Sequence, residues 1–308
     1  MPYKKAALEP VPPYAIVHSE ARVMYSRNGN REYRIFVFKP AHEAPPEGFP
    51  VIYVLDANAV FGTMAEAVRL QSRKPHGFGP AVIVGIGYPT DEPLDSTRRF
   101  YDYTKPASAK LPVRPDGSPW PETGGADAFL SFIEDELKPA IERDFPIDRN
   151  RQTLFGHSLG GLFTLDVWLN RPETFQTYVA GSPSIWWNNR YLLDAARRLA
   201  ERQEDKALPA AVLMAVGGKE KPFMIQDARE LFQTVEPLSG RGIRLQFMEL
   251  EDEGHITILL PLINRALRFA LAESGELEAN FNHLSFEGRS RTHGARAINQ
   301  GTPFHSCF

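Results

Sequence analysis

The chain has 308 residues, of which 43% are hydrophobic and 24% charged, with a formal net charge of −3. That balance belongs to an ordinary globular protein with ample core, and it offers no basic surface for nucleic acid. A single cysteine, Cys307, excludes an internal disulfide and a multi-cysteine metal site. No apolar run follows Met1-Pro2-Tyr3-Lys4-Lys5, and no stretch approaches the roughly eighteen apolar residues of a membrane span. A cytoplasmic protein with no membrane contact is expected.

Residues 21–26 and 32–39 are β-rich, and Asn28-Gly29 between them is a strong hairpin signal. After the Pro45-Pro46-Glu47-Gly48 loop, residues 50–55 form a continuous apolar strand of the kind buried on both faces of a parallel sheet. A helix through Met64, Ala67, Val68 and Leu70 follows, then an apolar strand at 81–86. Beyond a long stretch at 87–124, helices and strands alternate. Helices are expected near 125–144, 159–170, 191–203, 225–238 and 257–273, with strands at 152–157, 176–180, 210–216 and 242–249. Such alternation predicts an α/β fold with a doubly wound, mostly parallel sheet opened by an antiparallel hairpin. Residues 1–275 read as one domain, and 276–308 as a partly disordered tail. The 87–124 stretch, rich in proline, glycine and aromatics, is too long for a mere connector and is expected to be functional or disordered.

The chemistry centres on Gly156-His157-Ser158-Leu159-Gly160, a G-x-S-x-G motif between an apolar strand and an apolar helix. A strand turning sharply into a helix at a serine lifts the hydroxyl above the sheet edge and aims the helix amides at the same spot. Ser158 is therefore the candidate nucleophile, and a serine needs a base within hydrogen-bond reach. Of eight histidines, His255 follows the last predicted strand directly, where its loop can reach back over the sheet edge. His157 is adjacent to the serine but is placed on the opposite side of the turn.

The chain order serine, acid, histidine puts the acid just past the strand at 210–216. Glu220 is the first carboxylate there. Asp227 is the alternative, with a helix-capping role also open to it, and a serine–histidine dyad is a third possibility. An oxyanion hole needs two backbone amides. These are expected from Leu159 and from the loop after the strand at 50–55, at Ala57 or Asn58. Neither a zinc signature nor a phosphate-binding glycine loop occurs, so no metal and no cofactor is expected.

Several further segments carry a family resemblance. They are Tyr53-Val54-Leu55-Asp56, Gly87-Tyr88-Pro89, Arg98-Arg99 leading into Asp102-Tyr103-Thr104, Gly124-Gly125-Ala126, and the helix with Glu134-Asp135-Glu136-Leu137-Lys138-Pro139. The serine box, Ser182-Pro183-Ser184-Ile185-Trp186-Trp187 and Glu253-Gly254-His255 complete the set. Over about residues 15–272 the chain resembles the α/β-hydrolase esterase family that contains the ferric enterobactin and bacillibactin esterases, esterase D and the mycolyltransferases. Within it the chain resembles the siderophore esterases in particular. Ala57 stands where that family usually has glycine, a change that keeps the backbone amide.

The resemblance implies ester or lactone hydrolysis, with the 87–124 loop and Trp186-Trp187 forming the substrate mouth. Independently of it, Arg98, Arg99, Lys105, Lys110 and Arg114 crowd one loop with Tyr101, Tyr103 and Trp120. Cations beside aromatic faces suit a flat, anionic, catechol-like ligand. The sequence thus predicts a serine esterase for an ester substrate such as an iron–siderophore trilactone, serving iron acquisition. A general carboxylesterase, an S-formylglutathione-type thioesterase, an acyltransferase or a siderophore-binding protein on the same scaffold are the alternatives.

Overall fold

The computed structural model describes residues 15–73, 77–107, 117–201, 210–239 and 241–272. The hairpin forms around Asn28-Gly29 as β1 (Ser19–Tyr25) and β2 (Glu32–Phe38), paired antiparallel. β2 then pairs antiparallel with β4 (Val82–Gly87). From β4 onward every pairing is parallel: β3 (Phe49–Val54), β5 (Ile147–His157), β6 (Thr177–Gly181), β7 (Ala210–Gly217) and β8 (Ile243–Leu250). The strand order is β1-β2-β4-β3-β5-β6-β7-β8. The continuous apolar runs lie in the middle of this sheet, and every residue of β3, β4 and β6 is buried. Only a sheet covered on both faces permits that.

Helices supply both covers. α1 (Ala57–Gln71) and α8 (Leu259–Leu271) close one face with Met64, Val68, Leu262 and Leu267. The opposite face carries α2 (Ser96–Tyr103), α3 (Ala126–Phe132), α4 (Lys138–Asp144), α5 (Leu159–Asn170), α6 (Trp187–Glu201) and α7 (Pro222–Val235). No helix among the described residues is long and apolar enough to cross a membrane.

Three details depart from the expected layout. The stretch read as a loop at 87–124 contains α2, whose N-cap Asp95 accepts from the amides of Thr97 and Arg98. The helix expected at 125–144 is α3 and α4 joined by a π-helical turn at Ile133–Leu137. α6 is interrupted near its start, where Asn188, Asn189 and Arg190 are all left-handed, with φ of 47°, 57° and 61°. The expected tail at 276–308 lies outside the described residues, as do Lys110 and Arg114.

Candidate active site

The C-terminal ends of β5, β7 and β8 deliver three side chains to one point. β5 runs into α5 through Ser158, whose φ of 59° and ψ of −117° are those of a strained turn. Gly156 makes the turn possible, because a Cβ there would lie 2.2 Å from the Gly160 carbonyl oxygen. His255 lies just past β8, with its Nε2 3.0 Å from Ser158 Oγ and its Nδ1 2.8 Å from Glu220 Oε2. An ionised carboxylate only accepts, so Nδ1 carries the imidazole proton and Nε2 accepts from the Ser158 hydroxyl. The three groups form one directed chain: Ser158 donates to His255, and His255 donates to Glu220.

Glu220 is fully buried at its side chain and is held from several sides. Its Oε1 accepts from the Ser182 hydroxyl at 2.5 Å and from the Gly217 amide at 2.7 Å. Burial alone would raise its pKa. The hydrogen bonds from His255, Ser182 and Gly217 outweigh burial and hold the carboxyl below its ordinary range. Asp227 lies in the interior of α7 instead, ion-paired to Arg190 at 2.8 Å, and burial raises its pKa.

Leu159 and Ala57 are the first residues of α5 and α1, so their amides belong to the group that finds no acceptor within a helix. The two helix starts are close neighbours, since a Cβ on Gly160 would lie 3.4 Å from Asp56 Oδ2 and 3.5 Å from Leu55 Cβ. Asp56 caps this corner in a left-handed conformation, φ 52°. The side chain of Asn58, the alternative to Ala57, is engaged by the loop after β4. It donates to the carbonyls of Tyr88 and Thr90 and accepts from the Tyr88 amide.

The expected substrate contacts need correction. Arg99 is buried and grips both Asp56 oxygens, at 3.1 and 2.8 Å, with a longer bond of 3.4 Å to the His157 carbonyl. Tyr103 is 1% exposed, and its hydroxyl oxygen accepts from the Asp56 amide. Trp187 is 0% exposed, packed edge-on against Phe100, Trp120 and Trp186 at 5.3–6.0 Å. These three side chains are buried in the frame of the site and committed to the protein's own groups. Arg98 points elsewhere, donating to the Glu32 carbonyl and lying over the rings of Tyr33 and Tyr88. Lys105 is engaged by Asp127 and Asp166. Trp186 alone of the five expected contacts is a half-buried aromatic adjoining the site segment.

Sequence reasoning passed over Ser182, Ser184 and His157. Ser182 immediately follows β6, the strand between those bearing serine and acid, and that position is the signal that could have found it. Ser184 Oγ is 3.4 Å from Ser158 Oγ, and its amide donates to the Ser158 carbonyl. His157 Nε2 lies 2.6 Å from the His255 carbonyl oxygen, so the side chain set aside at sequence level touches the histidine loop.

A mostly parallel sheet wrapped by helices, entered by a hairpin and carrying serine, histidine and acid at its C-terminal edge, defines an α/β-hydrolase. The family model described as Putative esterase matches residues 26–255. The chain is 53% identical over 268 residues to the ferri-bacillibactin esterase BesA of Bacillus subtilis, covering 85% of this chain and 92% of that one. It is 36% identical over 245 residues to a siderophore enterobactin esterase of Emericella nidulans, covering 71% of this chain and 80% of that one. Among solved structures, the BES protein from Bacillus cereus superimposes with a TM-score of 0.81 at 40% identity, covering 86% of this chain and 100% of that one. This chain belongs to that esterase family.

Proposed function

We propose that the protein is a serine esterase that hydrolyses the ester bonds of a siderophore trilactone. The observation that carries this reading is the directed chain Ser158–His255–Glu220. Ser158 Oγ attacks the ester carbonyl while its proton passes to His255 Nε2. Glu220 stabilises the imidazolium that forms, and the amides of Leu159 and Ala57 receive the developing oxyanion. His255 then returns the proton to the leaving alcohol. Water repeats the sequence on the acyl-enzyme, releasing the carboxylic acid and the free serine. The relatives named for bacillibactin and enterobactin support a catecholate trilactone as substrate. A cytoplasmic place in iron acquisition goes with this reading.

Two measurements test it. A fluorophosphonate probe should label the native protein at Ser158 and leave Ser158→Ala unlabelled, and labelling elsewhere would remove the serine mechanism. Ferric and apo catecholate trilactones should be opened in a mass-spectrometric screen beside short acyl esters and S-formylglutathione. Turnover of only the latter would overturn the substrate, and tight siderophore binding without cleavage would make the chain a binding protein.

A further inference from the structure

The histidine loop is held from two directions, and only one of them belongs to the triad. From the acid side the hold is backbone on backbone: the amides of Gly218 and Lys219 donate to the carbonyls of Leu250 and Glu253 at 2.8 and 2.9 Å. From the serine side the closest polar hold on the loop backbone is a side chain. His157, the last residue of β5, places Nε2 2.6 Å from the His255 carbonyl oxygen, with the two rings 4.8 Å apart and tilted by 46°. A carbonyl can only accept, so His157 must carry its proton on Nε2 and donate. Burial holds the ring in this neutral state, pushing its pKa down to about 3, and His255 acts in the same direction when it is protonated.

We infer that His157 is a positioning residue, whose Nε2–H fixes the backbone of His255 so that the imidazole meets Ser158 and Glu220 together. This rests on the serine-esterase reading above. The carbonyl it holds belongs to the histidine itself, so any slack there moves Nε2 relative to Ser158 Oγ directly. A neutral donor suits this place. A fixed cation 4.8 Å from the reacting ring would oppose the imidazolium that His255 must become.

The test uses three replacements. The side-chain nitrogen of Gln can occupy the place of Nε2, whereas the Asn amide is one carbon too short and Phe keeps the ring without a donor. His157→Gln should keep kcat and the rate of fluorophosphonate labelling near wild type. His157→Asn and His157→Phe should lower both on the order of 10- to 100-fold, with KM unchanged. Rates that stay at wild type in His157→Asn, or fall equally in the Gln and Asn variants, would overturn the inference. The Gln–Asn comparison decides even if the Phe variant does not fold. His255→Ala measured alongside separates the two levels: full activity there removes the serine–histidine reading itself. An inactive His255→Ala beside a wild-type His157→Asn removes only the role of His157.

Discussion

Glu220 faces opposing demands at the scale of single residues: its side chain is buried, yet it has to remain a carboxylate. The hydroxyl of Ser182 and the amide of Gly217 meet them by donating to Oε1 and leaving Oε2 to His255. Replacing Glu220 by Gln should lower kcat on the order of a thousand- to ten-thousand-fold, because an amide can present a donor to Nδ1 and favour the wrong imidazole tautomer. Asp227→Asn should instead lower Tm and leave kcat nearly unchanged, since Asp227 pairs with Arg190 in α7. Ser182→Ala removes a hydrogen bond to a charged group, worth about 1.5–3 kcal/mol. A carboxyl whose folded pKa is depressed stabilises the fold above its unfolded pKa and loses that contribution as pH falls through the folded value. The Tm deficit of Ser182→Ala should therefore be full at neutral pH and shrink on acidification, and a pH-independent deficit would argue against this account. The convergence of Ser158, His255 and Glu220 was legible because each follows a strand in the chain order the fold demands. The burial of Arg99 was not legible, because its partner Asp56 stands 43 positions earlier and only the fold brings them together.

Among the elements, α2 is the one the sequence hides best. Its eight residues are mostly polar, and only Phe100 and Tyr103 mark an apolar face, too few for a period to appear. Asp95 before Ser96-Thr97 was the available signal, since an aspartate that can accept from the next two or three amides is a helix start. α2 also carries a buried carboxylate. Asp102 is 0% exposed, and its nearest cation is Arg98, at 3.9 Å. Burial pushes its pKa up to about 6, against the opposing pull of Arg98, Tyr33, Arg31 and Tyr88. A group raised in this way stabilises the fold at pH below its unfolded value and loses that contribution as pH rises through about 6. Wild type should therefore lose stability relative to Asp102→Asn between about pH 4 and pH 6, by up to roughly 3 kcal/mol. Urea midpoints of the two proteins across that range check it. The left-handed run in α6 gives a second case. Asn and Asp tolerate positive φ better than most other residues with a β-carbon, so Asn189→Ala should cost about 1 kcal/mol while Asn189→Gly should cost none.

Across the whole molecule, the cations of the 98–105 segment are committed to the protein's own groups. Arg98 holds the Glu32 carbonyl, Arg99 holds Asp56, and Lys105 holds Asp127 and Asp166. Replacing Arg98 and Arg99 together by Ala should thus depress turnover of a neutral p-nitrophenyl ester and of a catecholate trilactone by the same factor. A loss confined to the trilactone would return these arginines to the substrate. The sheet itself was largely readable, because continuous apolar strands between helices admit few arrangements and Asn28-Gly29 announces the hairpin. The strand order was not readable: β3 lies between β4 and β5, and nothing local in β3 records its neighbours. One feature of this sheet edge couples the position of Glu220 to that of His255. A Cβ at Gly217 would meet the Glu253 carbonyl oxygen at 2.4 Å, and one at Gly218 would meet Glu251 Cα at 2.7 Å, so the acid turn and the histidine turn touch with no side chain between them. A side chain added at either glycine would push the two turns apart and carry His255 away from its 3.0 Å contact with Ser158 Oγ.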